Sequence, residues 1–567
     1  MILPNLHHKA AGLTAGVIRR MRHRLMEPRL TVGHALCFCL IITACRGEKN
    51  QDLPTAHHLS AAPVTCHVNP DRVLRSIPRE LFGTNLEWFN YADGMCGPDG
   101  SIDPEWLRLA REEGVDNVRW PGGTLSDFYH WRDGIGPVGD RPVREHPTDP
   151  GKSPNIFGTP EFLRFCQAIN ARPLITVNAG TGTAAEAAAW VAYCNAAENS
   201  DRTADGLTAP AGVKLWEVGN ELYLPGNPTD KKIITVPPAV YAGRFLQFAA
   251  AMRKVDPSIK LIAIGTANAT TFPLPYPDWS EVLLQKAAAQ MDYIAVHNAY
   301  FPMIFGQRGL ALKDVYQSLW ASPEAVNRSL QALDTLITKY EKGHRIEIAV
   351  TEWGALFSND PQWVDQVKTM GSAVYVARLM QVFLGQPRVT LADHFKFTDR
   401  SIMGVVGYDR KPKIPYYVLQ LFSQHFGSRL VDASIESPTF SVKAVGPAPA
   451  ANDVPELTVA ASLDDTGHRL FVNIVNRSWD TIHQVQLETG SFQPAGRATA
   501  WSLSSPGLTD HNGRDLPEEI PTGMYREPVL DQNRKGPVSL EKKTVDLKSP
   551  ISIPPYSILT LELDARS

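Results

Sequence analysis

The sequence predicts an α/β fold, a (β/α)8 TIM barrel followed by a C-terminal antiparallel β-sandwich of jelly-roll type. Three observations carry this expectation. Residues 81–427 alternate short apolar runs with helical stretches, the pattern of a parallel sheet covered by helices. The alternation runs through eight strand candidates in about 300 residues, which fits a closed barrel. Beyond Gly427 the helical patterning nearly vanishes and alternating β-rich runs replace it. A doubly wound sheet would carry a Gly-rich phosphate turn after its first strand, and Gly83-Thr84-Asn85 is not one.

The elements follow in chain order. An Arg cluster (Arg19, Arg20, Arg22, Arg24, Arg29) precedes an uncharged apolar run at 30–44. That run is shorter than the roughly 20 residues of a spanning helix and ends in small residues, as an export signal does. Its end, Ile42-Thr43-Ala44-Cys45, resembles the bacterial lipobox. The expectation is a lipoprotein signal over 1–45, lipidation of Cys45, and an anchor in the outer membrane or at the cell surface. An ordinary signal peptide or an uncleaved anchor is the alternative. Residues 46–63, polar with Pro and tandem His, read as a tether. The stretch 64–80 is strand-like and is expected to join the sandwich.

Barrel strands are expected at 81–86, 115–120, 174–178, 213–218, 261–265, 293–297, 346–350 and 389–395, each a short apolar run. Helices are expected at 104–113, 160–170, 184–197, 238–254, 280–289, 323–340 and 371–384. The barrel domain then covers 81–427. The sandwich covers 428–567, with strands at 440–445, 457–463, 470–475, 482–487, 499–503 and 551–563. A long Pro-, Gly- and charge-rich loop is expected at 504–549.

Composition limits the function classes. With 43% hydrophobic and 20% charged residues the chain is globular rather than disordered. A net charge of -3, from 56 basic and 59 acidic residues, gives no footprint for nucleic acid. Outside the signal, Cys66, Cys96, Cys166 and Cys194 are too few for a disulfide framework and too widely spaced for a zinc knuckle; buried thiols, with one bridge at most, are expected. No nucleotide-binding or metal-helix motif is present, so no cofactor and no metal are expected.

Chemistry in such a barrel sits at the C-terminal ends of the strands. Two carboxylates occupy that level: Glu221 in Trp216-Glu217-Val218-Gly219-Asn220-Glu221, and Glu352 in Thr351-Glu352-Trp353. The fourth and seventh strands face each other across a narrow mouth. Paired carboxylates there suit glycoside hydrolysis, in which one protonates the leaving oxygen and the other attacks or activates water. Glu217, four residues before Glu221, reads as a deeper structural group. Asn220 is placed to hydrogen-bond a sugar 2-hydroxyl. Tyr223 and Trp353, each beside one of these Glu, are the first candidates for a sugar-stacking wall.

These two segments resemble the signatures of glycoside hydrolase clan A. Arg119-Trp120-Pro121-Gly122-Gly123-Thr124, continuing through Tyr129-His130-Trp131-Arg132-Asp133-Gly134-Ile135-Gly136-Pro137, is similar to the second-strand region of family 51 α-L-arabinofuranosidases. Leu81-Phe82-Gly83-Thr84-Asn85-Leu86-Glu87 and the stretch 416–427 resemble the same family. The resemblance implies a retaining exo-acting hydrolase of arabinofuranosyl groups on plant-type polysaccharides or oligosaccharides. It implies Glu221 as acid/base, Glu352 as nucleophile kept ionised by Arg119, Glu87 on sugar hydroxyls, Asn220 on the 2-hydroxyl, and His297 beside the nucleophile. Three positions depart from the family: Thr124 replaces an Asn, Tyr300 is displaced by one residue, and Asp393, His394 and Lys396 stand where a Gln is usual. Thr124, Tyr300 and His394 are therefore expected in an altered sugar-reading shell. The other readings are a β-xylosidase, β-galactofuranosidase or endo-glucanase on the same frame, or a glycan-binding lipoprotein without turnover.

Overall fold

The computed structural model describes residues 53, 56–145, 152–224, 228–229, 232–233, 236–267, 273–298, 301–304, 306, 309–359, 364, 366–398, 403–513 and 537–566. The expected signal, with Cys45, and nearly all of 46–55 lie outside these residues. Eight parallel strands close a barrel. They are β1 (Gly83–Asn85), β2 (Asn117–Trp120), β3 (Arg172–Val177), β4 (Leu215–Val218), β5 (Lys260–Ile264), β6 (Tyr293–Asn298), β7 (Glu347–Trp353) and β8 (Val389–His394). Closure is made where Asp393 and His394 of β8 pair with Gly83 and Thr84 of β1. Helices α1 (Pro104–Glu113), α2 (Thr159–Ile169), α3 (Ala184–Asn195), α4 (Pro238–Val255), α5 (Trp279–Ala287), α6 (Leu312–Tyr340), α7 (Met370–Gly385) and α8 (Ile414–Gln424) follow the strands in turn.

The strands alternate inward and outward side chains, and this period of two sets the site. Leu174, Leu215, Ile262, Ala295, Ala349 and Leu391 form one small apolar cluster, with Tyr293 packed against it. Two residues further along, Asn85, Arg119, Thr176, Glu217, Thr351 and Asp393 make a buried polar layer towards the mouth. Outward residues pack on the helices: Trp120 stacks on Phe162 of α2 with ring centroids 4.8 Å apart, and Trp216 meets Trp190 of α3 edge-on.

In β7 the alternation is broken. Between Ala349 and Glu352 the strand advances three residues while β6 advances two, from Ala295 to His297. Against β8 it again advances three, Val350 to Trp353, while β8 advances two. The extra residue is a β-bulge, which re-aims the side chains after it. Strict alternation from Ala349 would send Glu352 outward; the bulge turns both Thr351 and Glu352 into the mouth.

The C-terminal sheet runs in the order Thr481–Glu488, Val64–Ser76, Arg429–Ile435, Leu457–Leu463, Arg469–Asn476, Ser557–Asp564, Arg497–Leu503, Glu541–Asp546. It is antiparallel except where Thr481–Glu488 pairs in parallel with Val64–Ser76 and with His58–Leu59, a short edge strand inside the segment expected to be a tether. The chain segment before the barrel is thus a member of this sheet, with Cys66 and Val68 in its core. Its strands depart from expectation in several places: Arg429–Ile435 precedes the first expected strand, Thr439–Val442 pairs with Ala451–Pro455 in a separate two-stranded sheet, and Glu541–Asp546, inside the expected loop, pairs with Arg497–Leu503. Helix α6 also departs. It was expected to begin at Pro323 but starts eleven residues earlier, because Leu312, Val315, Tyr316, Leu319 and Trp320 give it a buried stripe that outweighs the proline. All four cysteines among the described residues are free and buried.

Candidate active site

Glu221 and Glu352 meet at the mouth of the barrel. One carboxylate oxygen of each and a ring nitrogen of His297 all lie within 4.8 Å of one another. Arg119, wholly buried, organises the floor beneath them. Its Nη1 donates to Glu352 Oε1 at 2.8 Å and to Asn85 Oδ1 at 3.0 Å; its Nε donates to Glu217 Oε2 at 2.6 Å; its Nη2 donates to Asn220 Oδ1 at 2.7 Å. Arg119 is thus bonded to four side chains of the protein. Glu217 is fully enclosed and accepts as well from Thr176 and Thr351.

His297 lies between the two strands. Thr351 Oγ1 donates its proton to Glu217, so it accepts one from His297 Nε2 at 3.0 Å. The other ring nitrogen, Nδ1, faces Glu221 Oε1 at 2.9 Å. That contact requires one proton, carried by the carboxyl or by the ring. Burial works against a charged imidazolium, but the adjacent Glu352 and Glu221 carboxylates outweigh it and raise the His297 pKa. Burial also pushes the Glu352 carboxyl above its ordinary value, while His297 and Arg119 pull it back.

Around this centre, Tyr223 is buried edge-on against Trp279, with its hydroxyl 3.4 Å from Glu221 Oε1. Glu87 pairs with Lys396, which also binds Asp93 Oδ2 at 2.7 Å. Thr124 opens the short turn Thr124–Phe128 after β2 and is half-buried. Tyr300 lies outside the described residues. Trp353 and His394 are not brought to the carboxylates. Trp353 is completely buried edge-on to Phe383 of α7, and His394 packs edge-on to Trp353 with centroids 4.8 Å apart. Both occupy the layer between strands and helices, so the expectation of a stacking wall at Trp353 and a sugar contact at His394 is corrected by the outward phase of their strands.

Sequence reasoning missed Asn85 and Asp127. Asn85 shares an inward face with Gly83, and its amide donates to the Thr351 carbonyl at 3.0 Å. Asp127, fully buried in the turn after β2, accepts main-chain N–H groups from Ala179, Gly180 and Asn220. Burial raises its carboxyl to about 7, although these three N–H groups act to lower it. Nothing in the sequence marks it, because all its partners are backbone groups of other loops.

Residues 113–300 match the family model described as alpha-L-arabinofuranosidase 1 domain, and 351–542 match the alpha-L-arabinofuranosidase C-terminal domain. The chain is 25% identical to an intracellular exo-alpha-L-arabinofuranosidase of Bacteroides ovatus, over 89% of this chain and 96% of that one. It is 24% identical to an intracellular exo-alpha-(1->5)-L-arabinofuranosidase of Bifidobacterium longum, over 78% of this chain and 83% of that one. A solved family 51 alpha-L-arabinofuranosidase from Bifidobacterium longum shares the fold at a TM-score of 0.73 and 21% identity, covering 89% of this chain and 100% of that one. The two relatives named intracellular overturn the expectation of an exported outer-membrane or surface lipoprotein. A basic stretch followed by an apolar one is a compositional pattern, and composition alone does not specify an address. Among the described residues, no helix is long and apolar enough to cross a membrane.

Proposed function

The chain belongs to the family 51 α-L-arabinofuranosidases, and from that premise we propose that Glu352 and Glu221 carry out a retaining double displacement on arabinofuranosyl groups. The observation that carries this reading is the approach of the two carboxylates within 4.8 Å. Retention needs a separation of about 5–5.5 Å, whereas inversion leaves room for a water at roughly 6.5–9.5 Å.

In the first step a Glu352 oxygen bonds to the anomeric carbon as the bond to the leaving oxygen breaks. The leaving oxygen takes the proton held between Glu221 and His297 Nδ1. Arg119, fixed to Glu352 Oε1, favours the ionised nucleophile against the burial that opposes it. Once Glu352 is esterified its charge is gone, and Glu221 takes a proton from water as that water attacks the same carbon and releases Glu352. Asn220, its Oδ1 fixed by Arg119 Nη2, is assigned to the sugar 2-hydroxyl. Glu87, Tyr223 and Thr124 are the side chains assigned to the sugar ring.

The test is Glu352→Gly with sodium azide and an aryl α-L-arabinofuranoside. The variant is expected to lose at least about 10³-fold in kcat. Azide then restores turnover and yields a glycosyl azide of opposite anomeric configuration. A variant that keeps wild-type turnover, or an inert arabinofuranoside beside an active pyranoside, sinks the reading.

A further inference from the structure

We propose that Asp127 is the positioning residue for Glu221, holding the strained turn from which the acid/base is presented; this rests on the acid/base role assigned to Glu221 above. The turn after β4 is unusual. Gly219 has φ +81° and Glu221 itself has φ +42°, a left-handed conformation that a side chain with a Cβ adopts at a cost. Such a conformation persists where surrounding contacts over-determine it. Gly219 is already packed tightly: a Cβ there would lie 2.9 Å from Ala179 Cβ and 3.3 Å from Asp127 Oδ1.

Asp127 supplies the remaining constraint. Its Oδ2 accepts the main-chain N–H of Asn220, the residue before Glu221, at 3.0 Å. Its Oδ1 accepts from Ala179 at 3.1 Å and Gly180 at 2.9 Å, and its carbonyl accepts from the Thr181 N–H at 3.1 Å and hydroxyl at 2.8 Å. One buried side chain thus ties the loops after β2, β3 and β4 together. The Asn220 side chain is held separately by Arg119, so the backbone N–H and the amide of one residue are gripped from two directions. Between them they set where the Glu221 carboxyl stands relative to a leaving oxygen, although Asp127 touches neither carboxylate.

Asp127→Asn isolates the contact. The amide oxygen keeps Ala179 and Gly180, while its NH2 is set against the Asn220 N–H, donor against donor. The experiment compares wild type, D127N and E221Q on a phenyl and a 2,4-dinitrophenyl α-L-arabinofuranoside, reading kcat/KM, which reports the first chemical step. The dinitrophenolate leaves without acid help. D127N is expected to lose about 10- to 100-fold on the phenyl substrate and less than about 3-fold on the dinitrophenyl one. Azide is expected to raise its kcat on the dinitrophenyl substrate and give a glycosyl azide of retained configuration, because azide attacks the intermediate without a base. Equal losses on both substrates, or no loss, overturn the proposal. If E221Q shows the selective loss and D127N does not, the positioning role alone fails; if E221Q itself shows none, the acid/base reading fails and takes the proposal with it. Should D127N not fold, Asp127→Ser, which removes the carboxylate without placing a donor against Asn220, is read by the same two substrates.

Discussion

Arg119 shows how much one side chain can hold in place. It bonds two carboxylates and two amides in a space closed to water, so removing it leaves Glu217 and Glu352 buried without their cation. Arg119→Met is expected to cost about 3–5 kcal/mol of stability, measured by urea unfolding, with activity lost as well. The motif Arg-Trp-Pro-Gly-Gly made Arg119 legible in the sequence, and the resemblance paired it with Glu352; its other three partners were not legible, because they come from β1, β4 and the turn after β4. His394 is the opposite case. Burial pushes its pKa down to about 3, so it stays neutral in the folded protein while the unfolded chain takes up a proton below about 6.5. The stability tied to the neutral ring is therefore full above that pH and is lost as pH falls toward 3, with a slope of up to roughly 1.4 kcal/mol per pH unit. Replacing it, His394→Phe, is expected to flatten the unfolding free energy over that interval by this one-proton slope.

Single elements repeat the lesson. Helix α1 begins at Pro104 behind Asp103, whose carboxylate accepts the Glu105 N–H, and ends at Gly114 in the left-handed region. These are local signals, and its bounds could be read from sequence unaided. Asp103→Ala is expected to cost about 1 kcal/mol, seen as a lowered urea midpoint with an unchanged slope. In α6 the local signal misled: Pro323 marks a beginning only if nothing upstream pays for its missing N–H. Pro323 supplies no N–H to the Leu319 carbonyl, yet the buried stripe on both sides of it carries the helix through the proline. In β7 no local signal exists at all. The bulge that brings Glu352 inward is a matter of register with β6 and β8, which are distant in sequence.

At the scale of the molecule, barrel and sheet are joined by buried charge. Arg477, at the end of the strand Arg469–Asn476, donates to the Trp320 carbonyl, to Glu324 of α6 at 3.0 Å, and to the Pro455 carbonyl. Arg378 of α7 binds the same Glu324 at 3.0 Å. Burial alone would raise the Glu324 carboxyl, but the two guanidinium groups bring it down to about 2. Its contribution to stability is present above about 4.5 and is lost as pH falls through 2. Arg477→Met is expected to cost about 3 kcal/mol and to reduce this acid sensitivity, as measured by unfolding at pH 2 to 5.

The sequence by itself determined the barrel, the sheet after it, and the two strand ends at which Glu221 and Glu352 stand, because hydrophobic periodicity and strand-end position are properties of short segments. It did not determine which way Trp353 and His394 face, how Asp127 grips the turn before Glu221, or where the bulge in β7 falls. Those depend on register between strands and on hydrogen bonds to backbone groups far along the chain, and only the closed barrel brings them within reach.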